Sequence, residues 1–169
     1  LARLHYLQEN FGGRIGTRVS SPQGVAEELV GADLAILSVL VPGAAAPKVV
    51  TRPMVRSMGP GAVIVDVSID QGGAAETSRP TSHSDPIYIE EGVVHYCVTN
   101  MPGAVPATST QALTSATLPY VDALANFGLD GALSRDRALA EALSTYKGQL
   151  VRGPVAETFG IAAAANPFL

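Results

Sequence analysis

The chain has 169 residues, of which 47% are hydrophobic and 15% are charged, so it can bury a core as one domain or as parts of two. Its net charge is -4 and its Lys and Arg residues are dispersed, which argues against a nucleic-acid partner. The single Cys97 excludes an internal disulfide framework and fits a reducing, cytoplasmic compartment. No apolar run approaches the roughly 18 residues of a membrane span. We expect no targeting peptide at Leu1, where the chain looks cut down.

The first part of the chain alternates predicted helices with short apolar strands. In order, these are a helix that Gly12 and Gly13 end, a strand from Arg14 to Val19, a helix from Ser21-Pro22 up to Gly31, a strand from Ala35 to Val41, a helix from Thr51 through Met58, and a strand from Ala62 to Val67. Such an alternation predicts right-handed crossovers and a parallel sheet covered on both faces.

The later part of the chain begins with a polar segment, TSRPTSHSDP, which predicts a surface loop. Arg79 in this loop is either a solvated surface charge or an anion clamp. One more strand is predicted from Val93 to Val98. A long helix that Pro119 would kink follows from about Val105, then two shorter helices and a tail that is expected to fray; these last three cover Asp136 to Leu143, Pro154 to Phe159 and the residues from Ala162.

Polar or turn-forming residues follow three of the predicted strands, at 38–43, 68–73 and 99–103. In one parallel sheet these ends lie at the same edge, where a doubly wound fold binds a nucleotide or another cofactor. Asp70 follows the most apolar of the three strands, in VIVDVSIDQGG, and is the first catalytic candidate. It fits equally well as a turn cap that bonds its own backbone, as Asp close before Gly often does.

Other motifs are less informative. The glycines of FGGRIG, at 11–16, come after a helix and before a strand, the reverse of a dinucleotide fingerprint, so we interpret them as a helix stop and a turn. His83 with Asp85, and His95 with Cys97, lack the spacing of a structural zinc site, and no metal is predicted. His95 and Cys97 alternate along a strand and are interpreted as packing residues. No Gly-x-Ser-x-Gly elbow supports a serine hydrolase.

Four long segments carry a family resemblance: SVLVPGAAAPK, VIVDVSIDQGG, TSRPTSHSDP and HYCVTNMPGAVPATST. In this order they closely resemble the carboxyl-terminal half of alanine dehydrogenases, and the resemblance covers nearly the whole chain. The NAD-binding component of proton-translocating transhydrogenase also resembles it in the Pro-Gly loop and the VIVD-type strand. That relative lacks the aspartate of IDQGG, so Asp70 favours the dehydrogenase.

The resemblance implies an enzyme that interconverts L-alanine with pyruvate and ammonia using NAD, and that assembles into a homo-oligomer, a hexamer in the family. It implies an α/β fold with part of a Rossmann-like doubly wound parallel sheet, followed by C-terminal helices that return to a substrate domain. Residues 1–108 resemble the later part of the NAD-binding domain, and residues 109–169 resemble the return segment. Neither a nucleic acid nor a membrane is an expected partner.

The resemblance also implies site residues, position by position. Arg3 and Ser20 match contacts at the adenosine end of NAD, Val39 and Leu40 match the loop beside the cofactor, and Arg79 matches another cofactor contact. The matches around the nicotinamide ribose are Val67, Ser68, Ile69, Asp70, Val98, Thr99, Asn100 and Met101. Asp70 also matches a catalytic aspartate.

The chain departs from the family in several places. The glycine fingerprint, the acidic residue for the adenosine ribose, the catalytic histidine and the substrate lysine belong upstream of Leu1, so the chain alone is expected to be inactive and poorly stable. Ala74 and Ala75 stand where many relatives have a larger pair, and Thr99 often corresponds to alanine. Two alternatives stay open: a non-catalytic nucleotide-binding module of a transporter assembly, and an inactive copy that keeps the fold.

Overall fold

The computed structural model describes all 169 residues, which divide into two compact units. The first unit comprises Leu1–Val39 and Ala46–Thr99, and the second comprises Leu40–Ala45 and Asn100–Leu169. The first unit contains the main sheet and the second is mostly helical. The predicted α/β class is therefore confirmed.

The first unit is built around a four-stranded sheet. Its elements are α1 (Ala2–Phe11), α2 (Pro22–Leu29), β1 (Leu34–Leu37), α3 (Arg52–Ser57), β2 (Val63–Asp66), a one-turn 3-10 helix (Val67–Gln71), β3 (Ile87–Glu90) and β4 (Val93–Tyr96). The strand order is β1-β2-β4-β3, in which β1, β2 and β4 are parallel and β3 is antiparallel to β4. The sheet is thus mainly parallel, as predicted, but carries an antiparallel edge strand.

Local signals explain why the helices form where the sequence predicts them. The Ser21 hydroxyl caps α2 by accepting a hydrogen bond from the Gly24 N–H at 3.0 Å, and Pro22 occupies the first helical position. Gly12 ends α1 in the left-handed conformation with φ 54°. These signals lie within a few residues of the element they limit, so the sequence alone reveals them.

The core lies on one face of this sheet. Ala35 and Leu37 of β1 and Ile64 of β2 point to that face, where Leu29 of α2 and Val55 of α3 pack against them. The opposite face is not covered: Ile36 of β1 is 62% exposed. The prediction of a sheet covered on both faces is wrong for this chain, because α2 and α3 share one cluster.

Two strand predictions in this unit are also wrong. Residues 14–19 form no strand, because no neighbouring strand pairs with them to complete a hydrogen-bonded ladder. Conversely, β3 was not predicted. It pairs with β4 through a tight turn at Glu91 and Gly92, which have φ values of 52° and 79°. The common Asn-Gly and Asp-Gly hairpin signals are absent from this turn, so the sequence gives little warning of it.

Ion pairs connect the turn between β3 and β4 to α3. Arg52 donates to Glu90 and Glu91, and Arg56 donates to both oxygens of Glu91. The guanidinium groups of Arg56 and Arg52 lower the pKa of Glu91 to about 2. These pairs hold a non-glycine residue in the left-handed region that such a turn requires.

The second unit consists of helices and a small hairpin. Its elements are a one-turn 3-10 helix (Met101–Ala104), α4 (Pro106–Leu133), α5 (Arg137–Ala142), β5 (Thr145–Tyr146), β6 (Gln149–Leu150) and α6 (Gly153–Phe159). The Asp136 carboxylate caps α5 through the Leu139 N–H at 3.1 Å, and Gly160 ends α6 with φ 64°. The three helices predicted in this region are therefore confirmed.

Three details of the second unit differ from the prediction. The helical angles of α4 are interrupted at Gly128, with φ 66° and ψ 175°, rather than at Pro119. The β5–β6 hairpin was not predicted, since each strand has only two residues. The tail does not fray: the Asn166 amide donates to the Ala140 carbonyl at 2.9 Å, and the Ala164 N–H donates to the Leu150 carbonyl at 2.8 Å.

Because the core lies on one face of the sheet, the same substitution on neighbouring strands should lower the free energy of unfolding by different amounts. Ile64→Ala, at a fully buried position, is expected to lower the free energy of unfolding by about 2–5 kcal/mol, because it removes buried apolar contacts and leaves a cavity. Ile36→Ala on the open face is the matched control and should change it by about 0.5 kcal/mol or less. Denaturant unfolding measures both, and equal losses would contradict a core confined to one face.

Candidate functional site

The site lies at the carboxyl ends of the parallel strands of the first unit. Because β1, β2 and β4 run in the same direction, their carboxyl ends meet at one edge of the sheet. The Ser68 hydroxyl, after β2, donates to the carbonyl of Val39, after β1, at 2.9 Å. The structure thus joins two of the predicted site residues directly.

The carboxylate of Asp66 organises the loop after β2. Asp66 is the last residue of β2 and is fully buried. Its Oδ1 accepts from the Ser68 N–H at 3.0 Å, and its Oδ2 accepts from the Ala74 N–H at 2.7 Å, the Ala75 N–H at 3.3 Å and the Ser78 hydroxyl at 2.6 Å. A buried carboxylate with four donors is stabilised without a cation, and it fixes both ends of the loop.

The sequence interpretation missed Asp66 as a site-forming residue. A signal was available: Asp66 continues the buried face of β2 two residues after Ile64. A charged residue at such a position needs several hydrogen-bond donors close by. The Ser78 hydroxyl supplies one of them, and the other three donors are backbone N–H groups, of Ser68, Ala74 and Ala75, which the sequence does not reveal.

The double glycine gives the loop its sharp return. Gly72 and Gly73 have φ values of 93° and 77°, a region that other residues rarely adopt. A Cβ atom on Gly73 would lie 2.7 Å from the Ser78 Cβ and 2.9 Å from the Asp66 Oδ2. Only glycine therefore fits between the strand end and the returning chain.

Asp70 lies between the buried Asp66 carboxylate and the double glycine. It belongs to the one-turn 3-10 helix Val67–Gln71, which begins with the side-chain cap of Asp66 and ends at Gly72. Asp70 is exposed, as are Val67 of the same turn and Thr99 after β4, whereas Ser68 and Ile69 are buried. The structure therefore presents a carboxylate at the edge of the sheet where the parallel strands end.

The predicted surface loop runs alongside the end of β4. The Thr81 N–H donates to the Cys97 carbonyl at 2.9 Å, the Thr99 N–H donates to the Thr81 carbonyl at 3.2 Å, and Thr81 forms a parallel bridge with Val98. Most of the loop is exposed, which confirms the prediction of a surface segment. It also holds Val98 and Thr99 in place just after β4.

Tyr88 of β3 positions Arg79. The Arg79 guanidinium lies over the Tyr88 ring, 3.9 Å from its centroid. The Tyr88 hydroxyl accepts from the Arg79 N–H at 2.9 Å and donates to the Thr77 carbonyl at 2.9 Å. Burial, together with the hydrogen bond to Cys97, raises the pKa of Tyr88. The side chain of Arg79 is exposed but packed against a fixed aromatic surface.

His95 is a buried packing residue, as the sequence predicted for it and for Cys97. Its Nδ1 lies 2.9 Å from the Val93 carbonyl and its Nε2 lies 2.8 Å from the Thr77 hydroxyl. A carbonyl only accepts, so Nδ1 carries the proton and Nε2 accepts from Thr77 in the neutral ring. The ring stacks on Tyr88 at 4.9 Å, and burial lowers its pKa.

Two predicted contacts lie elsewhere in the first unit. Arg3 belongs to α1, and its guanidinium lies over the Tyr6 ring of the same helix at 4.7 Å. Ser20 is exposed and lines a groove of about 350 Å³ along the free edge of β1, beside Arg18 and Val19.

The remaining predicted residues, Leu40, Asn100 and Met101, belong to the second unit. Leu40 is exposed and Met101 is half-buried. Asn100 has φ 53° and begins the 3-10 helix Met101–Ala104, whose Gly103 N–H donates to the Asn100 carbonyl at 2.8 Å. Asn100 also lines a hollow of about 640 Å³ with the first turns of α4.

Nowhere do three or more His, Cys, Asp or Glu side chains converge into a group that would hold a metal ion. None of the helices combines the length and the apolar character that crossing a membrane requires.

The comparisons with known proteins agree with this architecture. The family model described as "Alanine dehydrogenase/PNT, C-terminal domain" matches residues 1–153. The chain belongs to this family. As an alanine dehydrogenase/PNT C-terminal domain, it has the Rossmann-like fold that the resemblance implied, which confirms that prediction.

Among individual relatives, the chain is more similar to two proteins named alanine dehydrogenase than to a solved transhydrogenase. The alanine dehydrogenase of Halomonas elongata is 53% identical over 161 residues, which are 95% of this chain and 43% of the relative. A solved L-alanine dehydrogenase matches with a TM-score of 0.78 and 50% identity, over 94% of this chain and 44% of that one. A solved transhydrogenase from Sinorhizobium meliloti matches with a TM-score of 0.59 and 25% identity, over 81% and 37%. The chain spans less than half the length of these relatives.

The buried Asp66 carboxylate predicts that even a substitution of nearly the same shape lowers the stability of the chain strongly. Asp66→Asn is expected to lower the free energy of unfolding by about 2–4 kcal/mol, since the amide accepts through one oxygen only and turns its N–H groups toward other donors. The control is Asp85→Asn in the exposed loop, which should have little effect. Denaturant unfolding compares the two, and a near-neutral Asp66→Asn would contradict the role given to this carboxylate.

The buried imidazole predicts a loss of stability on acidification. The folded-state pKa of His95 lies below the ordinary value of 6.5, so its contribution is fully present above about pH 6.5. Below that pH the unfolded chain takes up a proton that the folded chain disfavours, and stability falls. His95→Phe keeps a ring against Tyr88 but cannot titrate, so its unfolding free energy should depend less on pH between about 7 and 5.

The control for this experiment is His5→Phe on α1, where the histidine is exposed. This variant should keep the pH dependence of the wild-type chain. A His95→Phe variant with that same dependence would show that another group controls the acid response.

Proposed function

We propose that the intact protein to which this chain belongs is an NAD-dependent alanine dehydrogenase, an oxidoreductase that interconverts L-alanine with pyruvate and ammonia. The observation that carries the proposal is the exposed Asp70 on a rigid turn at the carboxyl end of β2. It lies within VIVDVSIDQGG, one of the four segments that resemble alanine dehydrogenases. Identity of about 50% to proteins of that name supports the same assignment.

The chemistry of the strand-end residues fits the nicotinamide-ribose part of NAD. Asp70 and Thr99 offer polar groups for sugar hydroxyls, and exposed Val67 offers an apolar surface for a ring. The guanidinium of Arg79 adds a positive charge that suits a phosphate. We propose as cofactor contacts the residues matched by family resemblance: Arg3, Ser20, Val39, Leu40, Val67, Ser68, Ile69, Asp70, Arg79, Val98, Thr99, Asn100 and Met101.

In this proposal the chain contributes charge and position to the reaction. When bound, NAD accepts the hydride that leaves the α-carbon of alanine. The Asp70 carboxylate stabilises the positive charge that develops on the substrate nitrogen, and it accepts a hydrogen bond from the ammonia or water that leaves or enters. Because the turn is fixed at both ends, the carboxylate needs little reorganisation during the step. Proton transfer belongs, on the family resemblance, to a histidine outside this chain.

We propose further that residues 1–108 form part of an NAD-binding domain and residues 109–169 part of the return segment of a substrate domain. We also propose that the intact protein is a cytoplasmic homo-oligomer. Leu118, Val121 and Phe127 of α4 support this oligomer, since each is about half exposed and apolar. The isolated chain is expected to be inactive, because its proposed catalytic partners lie outside it.

The second candidate is the NAD-binding component of a proton-translocating transhydrogenase. It has less support, because the matched transhydrogenase structure is 25% identical while the matched alanine dehydrogenase structure is 50% identical. The aspartate of IDQGG, at Asp70, favours the dehydrogenase for the same reason as in the family resemblance.

The proposed role of Asp70 predicts a defect in turnover rather than in cofactor binding. In the intact enzyme, Asp70→Asn is expected to lower both kcat and kcat/KM for L-alanine by roughly a hundred- to a thousandfold, because the charge acts mainly in the transition state. The dissociation constant of NADH should change much less, since most proposed contacts are untouched. Steady-state kinetics and a fluorescence titration of NADH separate the two effects.

The control for this experiment is Asp33→Asn. Asp33 is exposed just before β1, at the opposite edge of the sheet, and should leave kcat unchanged. A near-normal kcat in Asp70→Asn would reduce Asp70 to a turn residue.

A further inference from the structure

The ammonium group of Lys48 binds the loop that follows Asp70. Its Nζ donates to the carbonyl oxygens of Gly72 at 2.6 Å, Gly73 at 2.8 Å and Ala75 at 3.1 Å. A lysine ammonium has three N–H donors and no acceptor, so these three carbonyls use its full donor capacity. All three N–H groups of this exposed, flexible side chain therefore bind one short segment, residues 72–75.

The backbone around Lys48 is attached to the same loop. The Ala46 N–H donates to the Gln71 carbonyl at 2.8 Å, and the Val49 N–H donates to the Ala74 carbonyl at 2.9 Å. Val50 forms a parallel bridge with Ala75. Residues on both sides of Lys48 are therefore fixed against the loop, so the side chain starts from a defined position and its ordering costs less entropy.

Lys48 and Asp66 hold the loop through opposite groups of its backbone. The Asp66 carboxylate binds the N–H groups of Ala74 and Ala75, while the Lys48 ammonium binds carbonyls of Gly72, Gly73 and Ala75. Each charge faces the end of the peptide dipole that it attracts. The 3-10 helix that carries Asp70 thus has a carboxylate cap at its start and an ammonium bound just after its end.

We propose that Lys48 is a positioning residue for Asp70. It binds the carbonyls of the double glycine, whose residues have the greatest intrinsic backbone freedom of the segment, and so holds the preceding turn with its carboxylate at the edge of the sheet. This inference rests on the proposed function, because its consequence is measured as turnover of L-alanine. It concerns a residue outside every proposed cofactor and substrate contact.

The chemistry of the clamp distinguishes lysine from its nearest substitutes. Methionine has a similar length but no donor, so Lys48→Met leaves three carbonyls without their partner. Arginine keeps the charge, but its donors are spread over a planar fork and do not converge from one nitrogen on three carbonyls. Lys48→Arg should therefore restore part of the function that Lys48→Met loses.

The first test is steady-state kinetics of the intact enzyme with L-alanine. Lys48→Met is expected to lower kcat roughly ten- to a hundredfold, in line with the cost of misplacing a catalytic group by about 1 Å. Lys48→Arg should lie between Lys48→Met and the wild type. The dissociation constant of NADH, from a fluorescence titration, should change by less than about threefold, because Lys48 holds the Asp70 turn and not the cofactor.

The matched control is Lys147→Met, since Lys147 is the only other lysine of the chain. It lies in the turn between β5 and β6, and the same chemical change there should leave kcat unchanged. If Lys48→Met does not fold, Lys48→Gln takes its place, because the amide retains two N–H donors.

A double-mutant cycle separates positioning from general destabilisation. If Lys48 acts through Asp70, then Lys48→Met in an Asp70→Asn background should lower kcat by less than about twofold. A further loss as large as that in the wild-type background would overturn the inference. So would a wild-type kcat in Lys48→Met.

The activity of the wild-type enzyme separates a failure of the proposed function from a failure of the role proposed for Lys48. An intact protein that does not oxidise L-alanine would overturn both the proposed function and the role of Lys48. An active protein whose kcat is unaffected by Lys48→Met would overturn the role of Lys48 alone.

Discussion

The site depends on one buried charge, the carboxylate of Asp66. A carboxylate removed from water requires several hydrogen bonds, and here four donors come from the twelve residues that follow it. The chain must therefore fold back over the end of β2, which it does through Gly72 and Gly73. The position of Asp70 is a consequence of this requirement, because Asp70 lies on the turn between the first and the later donors.

The neighbouring buried polar groups are also paired by hydrogen bonds. Thr77 is buried and pairs with His95, whose other nitrogen pairs with a backbone carbonyl. Every buried side-chain nitrogen or oxygen in the chain has a hydrogen-bond partner. A polar network that is fully satisfied in this way tolerates little rearrangement, since moving one member leaves another unpaired. The strand ends are thus rigid as well as polar, which suits a site that must orient a charge.

The sequence predicted the features that depend on neighbouring residues. The starts of α2 and α5 follow from Ser21 and Asp136, and the strand before Asp70 follows from its apolar run. Pairing between segments that are distant in the sequence is harder to predict. Residues 14–19 were predicted as a strand but have no partner strand, and β3 forms only because it pairs with β4. The site shows the same division. The placement of Asp70 was foreseen from the pattern, whereas the carbonyls that Lys48 binds lie 24 to 27 residues away in the chain.

The open face of the main sheet has a consequence for handling the chain. Leu34, Val63, Val94 and Ile89 lie in register across all four strands, and Ile36, Val65, Tyr96 and Ile87 form a second row beside them. Two continuous apolar rows on one sheet face form an apolar patch, which promotes association in water. The free edge of β1 adds unpaired backbone groups next to it. A preparation of this chain by itself should therefore bind hydrophobic dyes and form aggregates as its concentration rises, unless a mild detergent covers that surface.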